Sequence, residues 1–140
     1  MQVVNDVYPN DPQQIAAMRE PGPPGPIVMV NLLKFKPKAE YADGRPTELT
    51  GREAYMRYGA AVSELIKQYG GRVLFAGDVT HLTLGRVEEL WDEVALAEYP
   101  DRAALLAMST SKAWQEAAVH RTAGLAGQLN IETTYQVPGA

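Results

Sequence analysis

Residues 128–137, QLNIETTYQV, alternate without a break: Leu129, Ile131, Thr133, Tyr135 and Val137 fall on one face, with polar residues between them. Only an extended chain separates residues with a period of two. The stretch therefore predicts a β-strand with two unlike faces, and it is the strongest such signal in the chain. Just before it, a helical stretch runs out through two glycines in AAVHRTAGLAG (117–127), so the chain closes on a helix followed by a strand.

The same punctuation recurs upstream. IVMVNLL (27–33) is apolar on both faces, which suits a strand covered on both sides. KFKPKAEYADGRPTEL carries Pro, Asp-Gly and Arg-Pro, the marks of a loop. TGRE (50–53) is a capping box, and the helix after it sets Tyr55, Tyr58, Val62, Leu65 and Tyr69 in one stripe at steps of three and four. Gly70-Gly71 stops that helix. GRVLFAGDVTHLTLG (71–85) predicts a long strand, bulged near Gly77, that a polar turn joins as a hairpin to WDEVALAEY (91–99). Asp101 caps a helix that breaks at 109–111 and resumes from Lys112 to about Arg121. Ahead of all this, Asp11, Pro12 and Gln14 open a short helix that PGPPGP (21–26) ends. Residues 1–26 thus make an N-terminal helical arm and linker, and residues 27–140 the main domain.

The order of the main domain is β-α-β-β-α-β. Two split βαβ units of this kind form an α+β, ferredoxin-like domain: a four-stranded antiparallel sheet with its helices on one face. The other face is then left bare. In the expected register it carries Val28, Val30, Val94 and Leu96, which are too apolar to face water. A second copy related by a two-fold axis is the economical cover, so the expected partner is the chain itself, as a homodimer joined through the sheet.

Composition narrows the classes of function. A chain of 140 residues holds one domain, and net charge -4 offers no basic footprint for nucleic acid; the cluster KFKPK is short. With no cysteine there is no disulfide, thiolate metal site or cysteine nucleophile, in keeping with a cytoplasmic location. MQVVNDVYPN lacks the form of a secretory signal, and IVMV is too short to span a bilayer.

Several segments carry a family resemblance: VMVNLLKFKP, GGRVLFAGDV, and above all WDEVALAEYPDRAALLAM followed by HRTAGLAGQLNIET. From about Gly25 to about Thr134 the chain resembles the domain of unknown function family 1330, of the dimeric α+β barrel superfamily. The resemblance implies a ferredoxin-like subunit that dimerises through its sheet into a barrel. The family has no established activity. Its superfamily includes cofactorless monooxygenases, small-ring isomerases, stress-response dimers and haem enzymes, so the chemistry stays open.

His120 and Arg121 are the leading catalytic candidates. One reading makes the imidazole an acid or base and the guanidinium a holder of carboxylate or enolate. The other makes them cations finishing a helix C-terminus, each worth roughly 0.3–1 kcal/mol. By helical spacing His120 shares a face with Ala113 and Ala117 and leans inward, and Arg121 lines up with Trp114 and Ala118. Asn31 is a polar amide on an apolar strand face, placed either to orient a ligand or to bridge to backbone. Tyr55 and Tyr58 offer hydroxyls to a substrate or simply pack the core. Trp91 is a further substrate-binding candidate at the start of a strand, with a packing role as its alternative, and Trp114 is expected to anchor packing. His81, on the predicted long strand, is expected at the surface. Two histidines without ligand spacing are no metal signature, and no glycine loop cradles a phosphate. Two functions fit these residues. The first is a small-molecule enzyme without metal or organic cofactor, of isomerase or monooxygenase type, working in a pocket between sheet and helices with His120 as base and Arg121 as oxyanion partner. The second is a non-catalytic dimer that holds a small apolar or aromatic ligand in the same pocket.

Overall fold

The computed structural model describes residues 10–136, so Val137, the last residue of the alternating stretch, lies outside it, as does the segment before Asn10. The elements are α1 (Pro12–Met18), β1 (Ile27–Phe35), α2 (Gly51–Gln68), β2 (Arg72–Asp78), β3 (Glu93–Tyr99), α3 (Arg102–Ser109), α4 (Lys112–Gly124) and β4 (Leu125–Thr134). The four strands form one antiparallel sheet in the order β2-β3-β1-β4. This is the ferredoxin-like α+β arrangement, with the helices packed on one face.

Local chemistry sets the helix ends. Asp11 caps α1 by accepting from the Gln13 amide at 2.8 Å. On α2 the capping box closes both ways: the Glu53 amide donates to Thr50 Oγ1 at 3.1 Å, and the Thr50 amide donates to Glu53 Oε1 at 2.9 Å. Gly70 ends the helix with φ +82°, a conformation that costs glycine nothing. Thr110 and Ser111 break the second helical stretch, and Ser111 then caps α4 through the Trp114 amide at 3.2 Å. The start of α2 and the end of α4 meet at Gly51 and Gly124, where a Cβ on either would overlap the facing backbone.

The core forms where the stripe of α2 (Tyr58, Val62, Leu65) meets Ile27, Met29, Ala97 and Tyr99 of the sheet and Met108, Trp114 and Ala117 of α3 and α4. The opposite face carries Val28, Val30, Val94 and Leu96, as the register expected, with Ile131 beside Val30 and Leu129 beside Leu32. Ile131 on this face is 45% exposed, and Phe75 of β2, paired with Leu96, is 54% exposed. The apolar half of the β4 alternation thus points away from the helices, and Gln128, Asn130 and Glu132 share the helix-covered face with Leu33, Asn31 and Met29.

Five expectations need correction. The strand expected over 71–85 ends at Asp78, and the register shift lies between Val73 and Phe75 rather than near Gly77. A strand persists only as far as its neighbour: β3 begins at Glu93, one further bond joins the Val79 amide to Asp92 O at 2.9 Å, and the chain then leaves the sheet. His81 therefore lies in an exposed loop and not on a strand, and Trp91 precedes β3 rather than opening it. The last strand starts at Leu125, three residues early, because Lys34 and Phe35 of β1 offer it partners beyond Gln128.

Candidate functional site

Arg121 sits in the last turn of α4, where a cation meets unsatisfied carbonyls, yet it is only 7% exposed. Its Nε donates to Gln128 Oε1 at 3.0 Å, and its Nη2 donates to the same oxygen. Gln128 Nε2 donates onward to Asn31 Oδ1 at 2.8 Å, and Asn31 Nδ2 donates to the carbonyls of Met29 and Ala95 at 3.3 Å each. Each link fixes the next. Two carbonyls can only accept, so Asn31 must turn its NH2 to them and its oxygen toward Gln128. Gln128 must then offer its own oxygen to the guanidinium. A helix end, β4, β1 and β3 are joined by one directional chain on the helix-covered face of the sheet.

An aromatic wall stands in the same layer. The rings of Tyr55 and Tyr58 lie 5.3 Å apart, Phe35 is 5.5 Å from Tyr55, and Trp114 meets Tyr58 edge-on at 6.4 Å. Trp114 Nε1 donates to Tyr58 Oη at 3.1 Å. Burial pushes the Tyr58 phenol up, while the Trp114 hydrogen bond and the Arg121 charge pull it back. Tyr55 is likewise pushed up by burial and eased by Arg121. Both phenols are neutral donors near neutral pH, and both feel the guanidinium. Glu93, on the same sheet face, is pushed up by burial and restrained by Arg52, whose Nη1 is 3.7 Å away.

His120, adjacent in sequence, belongs to a different constellation. Its Nδ1 hydrogen-bonds to Tyr41 Oη at 2.6 Å, and the Arg45 guanidinium lies 4.7 Å over the Tyr41 ring. Arg45 in turn pairs with Asp43. Burial first, then the charges of Arg57 and Arg45, hold the imidazole below its ordinary pKa and favour its neutral form. A groove of about 300 Å³ beside it is lined by Tyr41, Asp43, Arg45, Gln115, Val119 and Thr122. A second hollow, of about 540 Å³, lies at the end of β1 among Lys34, Phe35, Pro37, Glu89, Asp92 and Ala126. Lys34 Nζ there donates to Leu90 O at 2.9 Å.

Of the residues singled out from sequence, the structure joins Arg121 to Asn31 through Gln128 and sets Tyr55 and Tyr58 together within reach of the Arg121 charge. It hydrogen-bonds His120 to Tyr41 instead. Trp91 is 6% exposed, and its indole Nε1 has no hydrogen-bond partner among the described residues. No group of three or more metal-ligating side chains occurs among the described residues, and no described helix is long and apolar enough to cross a membrane. Sequence reasoning passed over Gln128, Tyr41 and Glu93. For Gln128 the signal was present, in the polar half of the β4 alternation. Tyr41 sits in a loop, where no period marks it.

Comparison with known proteins gives three findings. The sequence pattern described as Domain of unknown function (DUF1330) matches residues 45–133. A crystal structure of a protein of unknown function from Rhodopseudomonas palustris is similar with 32% identity and a TM-score of 0.82, covering 96% of this chain and 100% of that one. Two more distant structures share the fold: a dimeric ferredoxin-like protein of unknown function from Jannaschia (16% identity, TM-score 0.53, 79% and 100% covered) and a proposed antibiotic biosynthesis monooxygenase from Caulobacter crescentus (18%, 0.52, 81% and 92%). No curated protein matches the chain.

Proposed function

The chain belongs to the DUF1330 family, and we propose that it works as a homodimer, joined through the helix-free sheet face, that takes up a small carbonyl or aromatic compound between sheet and helices. The observation that supports this best is the chain from Arg121 through Gln128 to Asn31. It holds a buried cation in one orientation beside two neutral phenols, and donors set in advance can stabilise an oxyanion. Arg121 is the oxyanion partner, Asn31 its indirect support, and Tyr55, Tyr58 and Trp91 the substrate contacts. The reaction begins with removal of a proton from the bound compound, either for an isomerisation or for an oxygenation in which molecular oxygen is the oxidant, and it uses neither metal nor organic cofactor. His120, held by Tyr41, is the base in this reading. We further propose that residues 1–26 form an arm and linker distinct from the ferredoxin-like domain of residues 27–140.

One observation favours the second reading, binding without turnover: His120 is bonded to Tyr41 and not to the Arg121 group. The test is a thermal-shift screen of small carbonyl and aromatic compounds against wild type, Arg121→Met and His120→Ala. Compounds that stabilise wild type but not Arg121→Met support the pocket. Turnover of such a compound that disappears in His120→Ala supports the enzyme, and binding unchanged in Arg121→Met refutes both.

A further inference from the structure

An indole N–H can donate and never accept. Trp114 Nε1 therefore obliges the Tyr58 oxygen to act as acceptor in their 3.1 Å hydrogen bond, and the Tyr58 proton must go elsewhere. Tyr58 is 9% exposed, and no described residue accepts that proton. The Tyr55 ring lies 5.3 Å from that of Tyr58. The Arg121 charge acts on both phenols. A buried donor left without an acceptor costs about 1–3 kcal/mol, so native proteins seldom keep one without a reason. The Tyr58 phenol thus offers a proton within the influence of the Arg121 charge.

We infer that Tyr58, its hydroxyl direction set by Trp114, is the residue that selects the ligand, and that the ligand is an aromatic or short-chain compound presenting a carboxylate, enolate or carbonyl oxygen to Tyr58. This rests on the pocket proposed above. Trp114 is a positioning residue: it touches no ligand and acts through the phenol it polarises. An ammonium ligand offers no acceptor for the Tyr58 proton and is repelled by the Arg121 charge.

The experiment titrates benzoate, acetophenone and benzylamine into the full-length protein, followed by the side-chain N–H signals of Trp114 and Arg121 in a ¹H–¹⁵N spectrum. Variants Tyr58→Phe and Trp114→Phe, which keep the ring packing, are titrated alongside. Benzoate and acetophenone are expected to shift both signals in wild type, and benzylamine neither. Tyr58→Phe should weaken benzoate about tenfold, and Trp114→Phe should weaken it less, because the phenol remains but is free to turn. Benzylamine binding as well as benzoate, or Tyr58→Phe binding benzoate like wild type, overturns the selection by Tyr58 and leaves the pocket standing. Shifts confined to the groove at Tyr41 and Val119, or no shift with any probe, overturn the pocket and this inference together.

Discussion

Replacing Gln128 with Leu removes the link on which the buried polar chain depends. Gln128 Oε1 accepts two N–H groups of Arg121, and its Nε2 donates to Asn31 at 2.8 Å. Hydrogen bonds to a charged group contribute about 1.5–3 kcal/mol and neutral ones about 1. Because the two guanidinium bonds share one oxygen, they are counted as about 2 kcal/mol together, and stranding Asn31 Oδ1 adds about 1. The expected loss is about 3 kcal/mol, or about 10 °C in melting temperature for a domain of this size. Gln128→Glu keeps an acceptor for Arg121 and gives up the donor to Asn31, so its loss should be smaller. Urea unfolding followed by tryptophan emission, at one protein concentration throughout, measures both. A loss below about 0.5 kcal/mol for Gln128→Leu would show that Arg121 is not oriented through Gln128, and the account of the site would go with it.

Two further outcomes follow from the geometry. By NMR titration His120 should show a pKa below its ordinary 6.5, and Arg57→Gln should raise it, because burial, Arg57 and Arg45 all oppose the imidazolium. Between the depressed and ordinary values the folded chain binds fewer protons than the unfolded one. The His120 contribution is therefore complete above about pH 6.5 and is lost as pH falls through the depressed value, and His120→Gln should flatten this part of the stability profile. Gly124→Ala places a methyl against the Gly51 backbone and should cost about 3 kcal/mol or prevent folding, which expression and circular dichroism would reveal.

Much of the architecture can be read from local signals. The capping box at Thr50, the breaks at Gly70 and Thr110, and the period of β4 each state their element without help from the rest of the chain. The limits of β2 cannot be read this way, since β2 stops where β3 ceases to offer a partner, which is a property of the pairing. The site divides in the same manner. Neighbouring residues on a helix point about 100° apart, so His120 and Arg121 could not share a site by adjacency alone. Arg121 turns toward Gln128 of the sheet, and His120 toward Tyr41 of the loop. Asn31 was conspicuous as a polar residue in an apolar strand. Its partner Gln128 became visible only once the register placed the polar side of β4 under the helices.

The most direct test of the central claim, a homodimer holding a small molecule beside Arg121, is native mass spectrometry of freshly purified protein against its denatured mass, for wild type and Arg121→Met. The account predicts a dimer carrying an extra small mass in wild type and a bare dimer in the variant. A monomer, or a small mass kept undiminished in Arg121→Met, would contradict it.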